Sequence, residues 1–129
     1  MKKLCFLFLA VMLLTACAQE KEDPQEAVYL NITAEEAKEI MDTQAGCVIL
    51  DVRAREEYDE GHIPGAIVIP HTEIEAQAAE ALPDKGQLIL VYCRSGRRGK
   101  IAAEALVGLG YTNIREFGGI LDWPYETEK

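Results

Sequence analysis

Residues 87–110, "QLILVYCRSGRRGKIAAEALVGLG", hold a strand, a tight loop and a helix in immediate succession. The mostly apolar run that ends at Cys93 suits a strand buried on both faces of a sheet. Apolar residues then recur at helical spacing, with Ala102, Leu106 and Leu109 on one face and Gly110 as the stop. A buried strand that leads through a short loop into a helix is typical of α/β folds with a parallel sheet.

Strands and helices alternate in the same way along the rest of the chain. The other predicted strands, each a short apolar or alternating run, are residues 28–32, 47–52, 66–70 and 113–117. The other predicted helices begin near Thr33, Ala54 and Thr72 and end near Gly46, Gly61 and Pro83. The pattern predicts an α/β domain with a mainly parallel five-stranded sheet flanked by helices, followed by a terminal turn that carries Trp123.

Two of these helices carry the same start signal. Thr33 and Glu36, and again Thr72 and Glu75, form the T-x-x-E pattern of a capping box. In such a box the threonine hydroxyl accepts from the amide three residues on, and the glutamate side chain reaches back to the threonine amide. We expect both helices to begin in this way.

The first residues of the chain are typical of a secretory signal. Lys2 and Lys3 precede an apolar run over residues 4–14, and small residues follow it. The run is too short for a membrane-spanning helix, which needs about 20 residues. The quartet Leu14-Thr15-Ala16-Cys17 resembles the lipobox of bacterial lipoproteins, in which the cysteine becomes the lipidated first residue. The alternative is an ordinary cleaved signal with an incidental cysteine.

These signals predict three segments and a location. Residues 1–16 would be a lipoprotein-type signal peptide, residues 17–27 a lipidated Cys17 with a flexible polar tether, and residues 28–129 the folded domain. The domain would be extracytoplasmic, on the periplasmic side of a bacterial membrane. Ala18 and Gln19 lack the aspartate associated with inner-membrane retention, which favours the outer membrane.

Length and charge narrow the classes of partner. The chain has 129 residues, which suits one compact domain, and its formal net charge is −9. An acidic surface argues against binding nucleic-acid backbones and against electrostatic docking on anionic lipid. We therefore expect no nucleic-acid partner, and contact with the membrane through the lipid anchor only.

Two cysteines fall within the predicted domain. Cys47 begins one buried strand and Cys93 ends another. In neighbouring parallel strands they would lie at opposite edges of the sheet, whereas a disulfide needs Cα atoms within about 7 Å. We expect Cys47 to be a buried apolar filler and Cys93 to be a free thiol.

The loop after Cys93 combines several features that favour an anion. The amides at the start of the following helix are unpaired and lie at its positive end, and Gly96 permits a tight turn. Arg94, Arg97 and Arg98 add positive charge. Together these features favour the thiolate over the thiol, so the pattern predicts a nucleophilic sulfur in an anion-binding loop. The alternative is a structural cysteine beside a solvated basic helix start.

Protein tyrosine phosphatases also use a cysteine loop that binds an anion. Their loop places an arginine six positions after the cysteine, where it clamps phosphate with two hydrogen bonds. Here that position is Gly99, and Tyr92 stands where such a phosphatase carries histidine. A phosphatase or an arsenate reductase is therefore disfavoured.

The segment "CRSGRR", residues 93–98, resembles the active-site loop of rhodanese sulfurtransferases. Two further segments agree with that family: "LDVRAREEYDEGHIPGAIVIP", residues 50–70, and "LGYTNIREFGGILDW", residues 109–123. The resemblance runs from about Tyr29 to Pro124. One departure is Gly99, where close relatives often carry serine or threonine after the last loop arginine.

The resemblance implies a rhodanese-like fold and a sulfurtransferase with catalytic Cys93. The Cys93 thiolate would take a sulfane sulfur from thiosulfate or a persulfide donor, and a thiol, cyanide or partner-protein thiol would accept it. The implied substrate-binding residues are those of the loop: Arg94, Ser95, Gly96, Arg97 and Arg98. No metal or organic cofactor is implied, and His62 and His71 have no metal-ligand partners at suitable spacing.

Other motif residues are interpreted as structural support. Asp51 and Arg53 would form an ion pair that stabilises the loop at the end of their strand, with Glu57 on the next helix as a partner. His62 would fix a turn through hydrogen bonds. Arg98 has a better claim to contact substrate than Arg94.

Three functions from different classes stay open. The first is an extracytoplasmic, lipid-anchored sulfurtransferase. The second is a persulfide or redox relay whose partner is another protein thiol. The third is an anion- or peptide-binding module without turnover, which is disfavoured because inactive relatives typically lack the loop cysteine.

Overall fold

Five short strands form one sheet in the computed structural model, which describes residues 28–129. The strands are β1 (Leu30–Asn31), β2 (Val48–Asp51), β3 (Ile67–Val68), β4 (Ile89–Cys93) and β5 (Ile114–Gly119). Their order across the sheet is β1-β5-β4-β2-β3, and every neighbouring pair is parallel. The predicted five-stranded sheet is confirmed, and it is parallel throughout. The predicted signal peptide, Cys17 and tether lie outside the described residues.

Four α-helices flank the sheet. They are α1 (Ala34–Thr43), α2 (Arg55–Glu60), α3 (Ile74–Ala81) and α4 (Arg97–Gly108). Short 3-10 turns cover His71–Glu73 and Ile120–Asp122. Within residues 28–129, no helix has the length and apolar character needed to cross a membrane.

The two faces of the sheet bury separate apolar clusters. Val91 and Cys93 of β4 face the side covered by α3 and α4, where Leu106 is fully buried. Leu90 and Tyr92 point the other way, toward α1 and the buried Trp123. Because side chains alternate along a strand, β4 has to be apolar on both faces, and all five of its residues are buried. This strand therefore lies in the middle of the core.

Of the two predicted capping boxes, one is present and one is not. The Thr33 hydroxyl accepts from the Glu36 amide at 3.1 Å, and the Thr33 amide donates to the Glu36 carboxylate at 3.5 Å. The prediction at Thr72 is wrong, because Thr72 lies inside a 3-10 turn and Glu73 is the residue before α3. The Glu73 amide donates to the Pro70 carbonyl at 2.8 Å, so this turn replaces the box as the entry to α3.

Both cysteines of the domain are free, as predicted. Cys47 lies just before β2 and Cys93 ends β4, which places them at opposite edges of the sheet. Cys47 is half-buried rather than buried.

The last strand is longer than predicted and is irregular. Val91 pairs with Glu116, but Cys93 pairs with Gly119, so β5 carries one extra residue opposite β4. Gly118 lies in this bulge with a φ of 88°. The bulge brings the Gly118 and Gly119 backbone beside the end of β4.

We predict that Leu106→Ala lowers the free energy of unfolding by about 2–5 kcal/mol, because it empties a fully buried site between α4 and the sheet. Ile101→Ala on the same helix is the matched control, since Ile101 is 43 % exposed. It should cost less than about 1 kcal/mol. Urea unfolding measures both, and equal losses would contradict this account of the core.

Candidate active site

Cys93 lies at the carboxyl end of β4, and α4 begins at Arg97. The Gly96 amide donates to the Cys93 sulfur, Sγ, at 2.9 Å. The thiol is 1 % exposed, with Sγ 3.9 Å from the Gly118 carbonyl oxygen. The sulfur therefore sits inside the turn, at the positive end of α4.

Two glycines let the loop close around the sulfur. Gly96 has a φ of 111°, which an L side chain rarely adopts, and this conformation aims its amide at Sγ. Gly119 packs so closely on the loop that a Cβ there would overlap the Arg94 carbonyl. That carbonyl also accepts from the Leu121 amide at 3.2 Å, which ties the loop to the end of β5. We call residues 93–98 the cradle.

The basic residues of the cradle divide into two groups. Arg94 and Arg97 are exposed, as is Lys100 just beyond the cradle. Arg98 is partly buried and donates two hydrogen bonds to the Glu57 carboxylate, at 2.6 and 3.0 Å. Its guanidinium thereby links the cradle to α2.

Glu57, expected as a partner of the Asp51–Arg53 pair, pairs with Arg98 instead. The hydrogen bonds from Arg98 hold the pKa of the Glu57 carboxyl below its usual value, with a smaller contribution from the Ala54 amide. Ser95, another of the five predicted substrate-binding residues, is exposed beside Arg94.

A buried ion pair lies under the loop that follows β2. Arg53 donates to the Asp51 carboxylate at 2.7 Å and to the Gly61 carbonyl at 2.7 Å. Tyr92 completes the group, because its hydroxyl donates to Asp51 at 2.7 Å and accepts from the Ile63 amide at 3.0 Å. Burial and the bond to Asp51 raise the pKa of Tyr92. These bonds fix both ends of the segment that carries α2.

His62 lies at the far end of the same segment. Its ring stacks on Tyr58 with centroids 3.8 Å apart, and Nδ1 donates to the Tyr58 carbonyl at 2.9 Å. Its backbone exchanges two hydrogen bonds with Glu128, each 2.8 Å long. The ring and backbone of His62 thus hold the turn after α2 and the end of the chain together.

Sequence reasoning assigned no role to two buried polar residues, Tyr92 and Glu116. Tyr92 is the one side chain with a hydroxyl in the otherwise apolar β4, whereas Glu116 follows another charged residue, Arg115, in β5, so only Tyr92 carried a signal in the sequence. Glu116 is 2 % exposed, and its carboxylate accepts from the Gly118 amide at 2.8 Å. Burial raises the pKa of Glu116, although the Gly118 amide and Lys100 oppose the shift.

Across residues 28–129, no three His, Cys, Asp or Glu side chains are grouped as the ligands of a metal ion. The described residues offer a cysteine sulfur that accepts from the Gly96 amide at the N-terminus of α4, with arginines on the same loop. Such a site can hold an anion and can attack it with the sulfur.

Comparison with known proteins agrees with this geometry. Residues 33–125 match the family model of the rhodanese-like domain. The chain is 42 % identical over 73 residues to the thiosulfate sulfurtransferase PspE of Escherichia coli K12, covering 57 % of this chain and 70 % of that protein. It is 38 % identical over 98 residues to the putative sulfur carrier protein YrkF of Bacillus subtilis, covering 75 % of this chain and about half, 52 %, of that protein.

A solved structure has the same fold. A rhodanese with anions from E. coli superposes with a TM-score of 0.61 at 38 % identity, covering 64 % of this chain and 98 % of that one.

The pair of Glu57 with Arg98 predicts a pH-dependent contribution to stability. Because the pKa of Glu57 is lowered in the folded state, its contribution is present above the unfolded pKa and is lost as pH falls through the folded pKa. We expect Glu57→Gln to destabilise the protein by about 1 kcal/mol at neutral pH. The difference from the wild type should vanish in acid.

Urea unfolding across a pH series measures this effect. Glu56→Gln, at an exposed position of the same helix, is the matched control and should leave stability unchanged. A difference between wild type and Glu57→Gln that persisted in strong acid would refute the assignment to this ion pair.

Proposed function

The chain belongs to the family of rhodanese-like domains, and we propose that it is a sulfurtransferase that works through a persulfide on Cys93. Its donor would be thiosulfate or a persulfide, and its acceptor a thiol or cyanide. The observation that carries this proposal is the hydrogen bond of 2.9 Å from the Gly96 amide to Cys93 Sγ, at the N-terminus of α4.

The first half-reaction forms the persulfide. The Cys93 thiolate attacks the outer sulfur of thiosulfate, a sulfur–sulfur bond forms, and sulfite leaves with the electron pair of the bond that breaks. The cradle supports this step because its amides stabilise negative charge where it resides on sulfur. The persulfide anion that results would lie in the same field of amides.

The second half-reaction returns the enzyme to its starting state. The acceptor thiolate or cyanide attacks the outer sulfur of the persulfide and leaves as a persulfide or as thiocyanate. Cys93 departs as the thiolate. Transfer in two steps through a covalent intermediate predicts ping-pong kinetics.

The cradle arginines would have different roles. Arg94 and Arg97 are exposed and would attract the donor anion from solvent. Arg98 is held by Glu57, so in this conformation it contributes positive charge from the wall of the cradle.

We predict that the purified full-length chain gains one sulfur atom when it is incubated with thiosulfate. Cyanide or a thiol should remove that sulfur. Intact mass spectrometry measures the gain, and Cys93→Ala should show none because the attacking sulfur is missing. Cys47→Ser is the matched control and should gain sulfur like the wild type, since Cys47 lies at the opposite edge of the sheet.

A failure to gain sulfur would have a defined meaning if Cys93 still reacts with an alkylating agent. Thiosulfate would then not be the donor. A gain from a protein persulfide would favour the persulfide relay, and no gain from any sulfur donor would favour an anion- or peptide-binding module.

We also propose that the protein is a lipoprotein held on the periplasmic side of a bacterial membrane, with the outer membrane favoured. The support is the sequence Leu14-Thr15-Ala16-Cys17 after a basic start and a short apolar run. In this proposal the acyl chains on Cys17 hold the domain at the membrane, since more than one chain gives stable anchoring.

We predict that Cys17→Ser abolishes incorporation of a labelled fatty acid and moves the protein from the membrane fraction to the soluble fraction. Cys47→Ser should keep both label and membrane location. Metabolic labelling followed by density separation of the two membranes measures these outcomes. Release of an unlabelled wild-type protein would instead indicate an ordinary cleaved signal.

A further inference from the structure

One buried acid lies beside the cradle without a part in the chemistry above. Glu116 is 2 % exposed, and its carboxylate accepts a hydrogen bond from the Gly118 amide at 2.8 Å. In the part of the chain that the structure describes, no arginine or lysine nitrogen lies within 4.0 Å of it. Burying a carboxylate without a paired cation costs free energy, which favours a functional reason for the position of Glu116.

Gly99 shows how close this acid is to the reacting sulfur. A Cβ built on Gly99 would lie 3.0 Å from Glu116 Oε1 and 3.6 Å from Cys93 Sγ. The carboxylate and the sulfur therefore flank the same small volume under the first turn of α4. It also reaches the turn itself, since a Cβ on Gly96 would lie 3.8 Å from the same oxygen.

The missing side chain at position 99 is part of this arrangement. The contact of 3.0 Å is closer than side chains normally allow, so a larger residue at position 99 would press on Glu116. Gly99 thus makes room for the carboxylate beside the cradle.

The charge of that group acts directly on the cradle. An ionised Glu116 places a negative charge next to the site where an anion or thiolate has to be held, and the two repel. A protonated Glu116 removes that repulsion and leaves the amides and arginines unopposed. Burial strengthens the effect, because water screens the interaction less than it does at the surface.

The groups around Glu116 come from three elements. The Gly118 amide of β5 and Lys100 of α4 favour its ionised form, and Cys93 Sγ at the end of β4 lies across the same small volume. Tyr29 lies before β1, and the pKa of its phenol is raised by burial and then by the charges of Glu104 and Glu116. Burial is the largest influence and raises the pKa of Glu116 itself.

We propose that Glu116 is a positioning residue that sets the affinity of the cradle for anions, which the cradle binds when this carboxyl is protonated and repels when it is ionised. The consequence for thiosulfate as donor rests on the function proposed above. The effect of the Glu116 charge on anion binding in the cradle does not depend on that function. It can be measured on Cys93 without sulfur transfer.

The test compares two alkylating agents of nearly equal size, the iodoacetate anion and neutral iodoacetamide. With either reagent the Cys93 thiolate forms a carbon–sulfur bond and iodide leaves. Both rate constants are proportional to the fraction of Cys93 that is ionised, so this fraction cancels in their ratio. The ratio then reports the electrostatic potential that an anion meets at the cradle. Rates are followed on the Cys93 peptide of the full-length protein from about pH 4.5 to about pH 9, where iodoacetate remains an anion.

In the wild type we expect the ratio of iodoacetate to iodoacetamide rates to fall by about tenfold as Glu116 ionises with rising pH. In Glu116→Gln it should stay at the high value across the series. Glutamine has the same shape and keeps an oxygen to accept from the Gly118 amide, so the bulge is retained. Glu104→Gln is the matched control, because it removes the same charge from the exposed side of α4.

Two results would overturn the proposal. One is a wild-type ratio that does not change with pH, and the other is a Glu116→Gln ratio that falls as the wild-type ratio does. If the ratio behaves as expected but thiosulfate transfers no sulfur, the role of Glu116 stands and the donor is a different anion. If sulfur is transferred, KM for thiosulfate should rise with pH in the wild type and not in Glu116→Gln.

Discussion

The site depends on one backbone constraint, the turn in which Gly96 takes a φ of 111° between β4 and α4. A strand buried on both faces delivers Cys93 to the edge of the sheet, and only three residues separate it from the first residue of α4. Within these three residues the backbone has to turn so that the N–H of Gly96 points back at the Cys93 sulfur. Glycine reaches this conformation without strain, so the hydrogen bond to Sγ is obtained without distortion elsewhere.

The surroundings of the turn hold it in place. The bulge in β5 lets Gly119 pack on the Arg94 carbonyl, and the Asp51–Arg53–Tyr92 group ties the neighbouring loop to the same edge of the sheet. A buried ion pair stabilises a fold only when its remaining hydrogen-bonding groups are satisfied. Here Arg53 also bonds the Gly61 carbonyl and Tyr92 also bonds the Ile63 amide, so the buried charges serve to fix two loops.

Local signals in the sequence were sufficient for the framework of the domain. Apolar runs and a threonine cap predicted the strands and α1, because burial and capping act over a few neighbouring residues. The same cap signal failed at Thr72, where the 3-10 turn after Pro70 decided how α3 begins. The partners of Tyr92 and Glu116 were beyond prediction. Tyr92 meets Asp51 through the register of β4 against β2, and Glu116 comes to lie beside Gly99 of α4 through its pairing with Val91, which no short-range pattern predicts.

The charged side chains near Cys93 contribute unequally to anion binding because they are buried to different extents. Arg94 and Arg97 lie in water, where a charge at a given distance acts about four times more weakly than at a partly buried position. Arg98 is compensated by Glu57. Among the residues that the structure describes, no cation pairs with the buried Glu116, so the loss of one proton from its carboxyl can offset the attraction of several exposed arginines. The number of basic residues in the loop is therefore a poor measure of its affinity for anions, and the state of the acid beneath it is a better one.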